Sequence, residues 1–318
     1  MIKIAKVLAA LLIAGFLSTA LAQDKRPLRI IIAFPAGGSS DAMARTLADR
    51  LGPTLGQPVI VEAKPGASGL IASKYVLSQP PDGRTLLLTS PTITIIQPRI
   101  TKIDFDPIAE FAPVSNVGGN PLVLGIRTSL PARDLKEFVE YARGRQGKLN
   151  YASGGTGTST HLVAALFFRR AGIELLHVPY KGGAPAMQDL LGGHVDAYFG
   201  NPADFVGQEV GAKVRAIGVS GERRLPELPG APPIGESYPG FRLVTWQGLV
   251  ARSGTPAAEI ERISRAVQQV SREPDYIQRL AKFGFDPIGD TPAQFAETIS
   301  RDRILWAEAI TIANIKAE

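Results

Sequence analysis

The sequence predicts an α/β protein made of two doubly wound lobes joined by two hinge crossings. Three observations carry that expectation. The order strand–helix–strand–helix–strand occurs twice, which calls for parallel sheets with right-handed crossovers. Each half has a glycine-rich loop where a strand gives way to a helix, at residues 33–41 and 151–161. Two extended passages, at 113–128 and 241–246, let the chain leave the first lobe and come back. The expected division is 1–22 as a signal peptide, 23–123 with 245–318 as lobe 1, and 124–244 as lobe 2.

Lys3 and Lys6 form a basic start, residues 7–17 an apolar stretch, and Ala20-Leu-Ala22 a cleavage site of the A-x-A kind. The apolar stretch is short for a membrane span, and no later stretch approaches ~18 consecutive apolar residues. The expectation is export to the periplasm by a cleavable signal peptide, with cleavage after Ala22.

Lobe 1 opens with the apolar run 28–34, which reads as a strand buried on both faces. Met43, Leu47 and Leu51 then recur at helical spacing, with Gly52-Pro53 as the expected stop. A short strand over 58–61 follows, then a helix from Ser68 as cap, a Pro-Pro-Asp-Gly turn at 80–83 and a strand over 85–89. In lobe 2, Leu135, Phe138, Val139 and Ala142 mark a helix. The scheme then repeats through strand 149–152, helix 160–170, strand 175–178, helix 184–191 and strands 195–199 and 214–219. The tail is helical, starting at Thr255-Pro256 and again at Thr291-Pro292. Because the chain returns, these last helices are expected to pack on lobe 1.

Composition excludes several classes. The chain has no cysteine, which rules out disulfides, thiol catalysis and thiolate metal sites. Its formal charge of +6 falls to +4 without Lys3 and Lys6. The charges are interspersed, with no basic run and no basic–aromatic interleaving, so no nucleic-acid partner is expected. Gly 33 and Pro 25 exceed the ~12% combined average; in so apolar a chain the excess means tight loops. His161, His177 and His194 fall in separate elements, so neither a metal nor any other cofactor is expected. There is no Gly-x-Ser-x-Gly elbow, Walker loop or His-Glu-x-x-His, so the chain does not read as an enzyme.

The two glycine loops carry the binding chemistry. Glycine lets the backbone approach a bound group closely, and the first N–H groups of a helix have no partner inside it. Such a junction is an anion site, and two of them suggest one small anion held between two lobes. Asp41 either caps its helix or orients a ligand amine or bridging water. His161 either packs behind its loop as a neutral imidazole or contacts ligand. Asp196 either contacts ligand or makes a structural hydrogen bond. Lys181 reads as a surface lysine.

Phe-Pro-x-Gly-Gly-x-x-Asp at 34–41 is joined by Pro65-Gly-Ala-x-Gly69, Asp82-Gly83 and Tyr151-Ala-Ser-Gly-Gly-x-Gly-x-x-x-His161. Val178-Pro-Tyr-Lys-Gly182, Val195-Asp196 and Trp246-x-Gly-Leu-x-Ala-x-x-Gly-Thr-Pro256 complete the set. In this order, over the whole chain after the leader, they resemble the periplasmic receptors of tripartite tricarboxylate transporters, the Bug family. Ala36 stands where many members have proline, and Ala63-Lys64 where Asn-Arg is common. The resemblance implies a type II periplasmic-binding fold and a monomeric receptor that delivers a small organic carboxylate to membrane transporter subunits. It also implies recognition through loop backbone and ordered water. Carried onto this sequence, it implies contacts from Phe34, Ala36, Gly37, Gly38 and Asp41, from Ser90, from Ser153, Thr156, Gly157, Thr158 and His161, and from Asp196. A sensor that signals to a membrane kinase is the alternative reading.

Overall fold

The opening apolar run forms β1 (Leu28–Ile32), an inner strand of a six-stranded sheet. The computed structural model describes residues 26–205 and 208–313, so the expected signal peptide lies outside the described residues. After α1 (Ser39–Leu55) come β2 (Val59–Ala63), α2 (Leu70–Leu77) and β3 (Thr85–Thr89), with both strands parallel to β1. Ile30 and Ile32 join Met43, Leu47 and Leu51 of α1, whereas Ile31 joins Ala72 and Val76 of α2. Helices on both faces explain why the strand is apolar on both sides. Arg29, its polar member, donates to Tyr75, Gln79 and Thr85 at 2.8–2.9 Å.

Two local expectations are corrected here. α1 runs through Pro53 and ends at Gly56, whose left-handed φ of 68° breaks the helix. The N–H groups of Gly56 and Gln57 close on the Pro53 and Gly52 carbonyls, so a glycine cap rather than the proline sets the end. Ser68 does not cap α2; Gly69 does, and the Ser68 hydroxyl donates instead to the Thr156 carbonyl, 3.2 Å away.

After β3, a π-helical turn (Thr92–Ile96) and α3 (Gln97–Ile100) lead to β4 (Phe111–Pro121). The chain then enters a second, five-stranded sheet through β5 (Val123–Arg127). It continues through α4 (Leu135–Arg143), β6 (Asn150–Ser153), α5 (Ser159–Ala171), β7 (Leu176–Pro179), α6 (Gly183–Leu191) and β8 (Ala197–Gly200). α7 (Gln208–Lys213) and β9 (Val214–Val219) follow, before β10 (Val244–Arg252) rejoins the first sheet between β3 and β4. The sheet orders are β11-β4-β10-β3-β1-β2 and β7-β6-β8-β5-β9, where β11 is Asp286–Pro287. Where the chain changes sheets, Ser220 fastens both passages. Its hydroxyl accepts from Leu122 N–H and donates to the Leu243 carbonyl.

α8 (Ala257–Val270) and the unexpected α9 (Pro274–Ala281) bury Ile263, Val267, Val270 and Tyr276 in the same core as α1. α10 (Pro292–Ala313) packs on lobe 1, as α8 and α9 do, and also reaches the second lobe. At 1.5 Å per residue its 22 residues span about 33 Å. It packs on β4 of the first sheet and on α5 beside the second. Phe295 meets Trp246 edge-on, and the Trp246 indole N–H donates to Asp302 at 2.8 Å. One apolar cluster accordingly runs from Ile31 through Trp306 to Phe167 and Phe199, under both sheets.

Candidate functional site

Three strand-to-helix junctions meet at one cavity of about 70 Å³ between the sheets. α1 contributes Gly38, Ser39 and Ser40, α5 contributes Thr158, Ser159 and Thr160, and α6 contributes Gly182, Gly183 and Ala184. Helix geometry leaves the N–H groups of Ser39, Ser40, Thr160, Gly183 and Ala184 without an intrahelical partner. Each terminus also brings the positive end of a helix dipole. Thr245 and Gln247 of β10, with Tyr198 and Asn201 at the end of β8, form another part of the wall. Lys181 is the one charged side chain among the described lining residues, and it is solvent-exposed. No carboxylate is among them.

Each loop is held by its own side chains. In the first, the Asp41 carboxylate accepts from Gly37 N–H at 3.0 Å and from Arg45 Nε at 2.9 Å. Burial works to raise this carboxyl, but the Arg45 and Gly37 hydrogen bonds outweigh it and hold it below the ordinary range. In the second, Thr158 accepts from His161 N–H, and Thr160 Oγ1 accepts from Gly154 N–H at 2.9 Å. His161 Nδ1 accepts from Gly157 N–H at 3.0 Å, so the imidazole is neutral and carries its proton on Nε2. His177 stacks on it with ring centres 3.7 Å apart and reaches Ser153 Oγ at 2.7 Å. Burial drives His161 down to about 3, helped by His177, and His177 down to about 4.

The lobes touch across the cleft beside the cavity. Ser159 N–H donates to Thr92 Oγ1 at 2.9 Å, and the Gln97 amide donates to the Thr156 and Gly157 carbonyls at 3.1 and 3.2 Å. On the other side, Asn120 donates to Asn201 at 3.0 Å. This is a closed arrangement.

Of the residues expected from sequence, the cavity brings together Phe34, Gly38, Ser90 and Thr158. Ala36, Gly37 and Asp41 belong to the first loop but lie off the wall, where Asp41 secures the turn. Ser153 and His161 sit behind the second loop, and Thr156 and Gly157 face lobe 1. Asp196 precedes β8, away from the Tyr198–Asn201 end that lines the cavity. There it accepts from Arg127 Nε at 2.8 Å and Asn150 N–H at 2.9 Å. The α6 terminus adds a site beyond the expected residues, and its signal in the sequence is Gly182-Gly183 after β7, the same strand–glycine–helix design. Nothing in the spacing of Thr245 and Gln247 marks them, since only the fold carries β10 under the cavity.

A cavity enclosed by two α/β lobes, with helix N-termini from both, defines a solute-binding protein. Comparison with known proteins makes the class specific. A profile of the tripartite tricarboxylate transporter family receptor matches residues 43–314, and the chain belongs to that family. It is 32% identical over 288 residues to protein BugT of Bordetella pertussis, covering 90% of this chain and 88% of BugT. Rpa4515 of R. palustris, solved with adipate, superposes with a TM-score of 0.88 at 29% identity, over 92% of this chain and 99% of that one. MatC of Rhodopseudomonas palustris, solved with bound malate, gives 0.83 at 28% identity, over 90% and 99%. The family is one of receptors, and the periplasmic binding protein BugD superposes with a TM-score of 0.83 at 31% identity, over 92% of this chain and 99% of that one; the chain is a binding protein, not an enzyme. Among the described residues no helix is long and apolar enough to cross a membrane, and no group of three or more side chains is arranged for a metal.

Proposed function

We propose that the chain is a periplasmic receptor that captures a small organic carboxylate between two lobes and hands it to the membrane subunits of a tripartite tricarboxylate transporter. The lobes are 23–123 with 245–318, and 124–244. The observation that carries this reading is the convergence of three helix N-termini on one cavity with no carboxylate in its wall. The adipate and malate of the two solved neighbours support a carboxylate as the class of ligand. At about 70 Å³ the closed cavity is about half the ~150 Å³ that holds benzene in an engineered apolar site. A short aliphatic acid suits it better than an aromatic one. Native mass spectrometry on protein purified without refolding tests the reading, followed by calorimetry with whatever acid is released. A short-chain carboxylate bound one to one is the expected result. Protein that carries no small acid and takes up none of the C3 to C6 mono- and dicarboxylates refutes it.

A further inference from the structure

The helix N-termini offer donors, and a carboxylate satisfies donors. One residue of the wall asks for the opposite. Gln247 is 6% exposed, and its Oε1 is buried without a hydrogen-bond partner. Of the buried side-chain atoms left unpaired among the described residues, it is the one that belongs to a residue lining the cavity. The neighbouring polar side chains are already engaged. Tyr198 OH donates to Asp204 at 2.8 Å, and Asn201 Oδ1 accepts from Asn120. The β10–β4 ladder shifts register between Gln247 and Gly248, and such an irregularity re-aims a side chain next to a site.

We infer that Gln247 selects a ligand carrying a hydroxyl beside its carboxylate, so that the receptor takes a short hydroxy acid in preference to the plain acid of the same length. The inference rests on the carboxylate reading above. An ionised carboxylate has no proton to give Oε1, and a methylene leaves that oxygen as unpaired as before. A hydroxyl donates to it and still accepts from a neighbouring serine or threonine. An ammonium also donates, but no carboxylate lines the cavity, and Asp204 behind the wall already accepts from Tyr198 OH and Asn201 N–H, so none is open to balance its charge. Lys181 at the wall adds a second positive charge, so an enclosed amino acid is disfavoured.

The experiment is calorimetry with L-malate, succinate and L-aspartate, which share one carbon skeleton, on the wild-type chain and on Gln247→Met. The wild type should bind malate at least about tenfold tighter than succinate or aspartate, the size of one lost charge-neutral hydrogen bond with a buried partner. Gln247→Met should bind malate and succinate alike. If Gln247→Met does not fold, Gln247→Asn, which withdraws the amide by one methylene, carries the same comparison. Equal affinity for malate and succinate in the wild type, or a preference that survives in the variant, overturns the inference and leaves the carboxylate reading standing. If none of the three binds while another C3 to C6 carboxylate without a hydroxyl does, the inference alone falls; if no acid of that series binds, both fall together.

Discussion

Gly157 separates the strain of a loop from the closing of the cleft. Its φ is +68°, and a Cβ built there would lie 1.9 Å from Ile100 Cδ1 and 2.8 Å from Gln97 Nε2, both across the cleft. Gly157→Ala therefore has two effects. The left-handed backbone disfavours alanine by about 1–2 kcal/mol whether the lobes are open or shut, which lowers stability alone. The collision exists only when the lobes are shut, and it displaces the Gln97 amide from the Thr156 and Gly157 carbonyls. Two hydrogen bonds at ~0.5–1.5 kcal/mol each make this about 1–3 kcal/mol, or roughly a five- to hundredfold loss of ligand affinity. Gly147 supplies the control: its φ is also +68°, and nothing lies within 4 Å of its Cβ position. Gly147→Ala should lower the melting temperature similarly and leave affinity unchanged. The assay is calorimetry with the receptor's carboxylate, beside a thermal melt of each variant. A folded Gly157→Ala protein that binds like wild type shows that the cross-cleft contacts do not contribute to binding.

Lys181→Ala should slow association a few-fold at low salt, with the difference gone at high salt, because an exposed cation at the cavity steers an anion more than it holds one; stopped-flow binding measures it. The His161–His177 pair should make the fold acid-sensitive. Both folded values lie below 6.5, so their stabilisation is full above that pH and is lost as pH falls toward about 4 and then about 3. His177→Gln should flatten part of that slope in melts run from pH 7 to 4. Asp204 has the opposite sign. Burial raises it from 3.8 to about 6 against its bonds from Tyr198 and Asn201, so its contribution is present below 3.8 and lost as pH rises through 6. Relative to wild type, Asp204→Asn should gain stability between those values; a flat difference refutes the buried-acid assignment.

What the sequence makes legible is whatever repeats along the chain. The β1 run, the Met43–Leu51 stripe and the glycine loops are local signals, and the alternating order of elements follows from them. The relations that shape the site are not local. Asp196 reads equally as a ligand contact or a structural acid until Arg127 and Asn150, distant in sequence, are seen beside it. Gly157 looks like an anion donor from its loop, but its N–H is taken by His161 and its face by Ile100. The π-helical turn and α3 carry no periodicity to read, yet Thr92 and Gln97 make the contacts that shut the cleft. Pro53 reads as a stop because proline disrupts helix interiors; in a last turn closed by Gly56 it is tolerated. Gln247 is one polar residue in a strand until β4 and β10 are paired.

On the proposed function, helix N-termini from both lobes hold a negatively charged group in the closed cavity. Calorimetry comparing L-malate with L-malamide tests it most directly, since the two share a skeleton and a hydroxyl and differ in charge. Malate should bind, and malamide at least about a hundredfold more weakly, because two charge-assisted hydrogen-bond sets become neutral ones. Equal binding of the two, or binding of malamide alone, contradicts it.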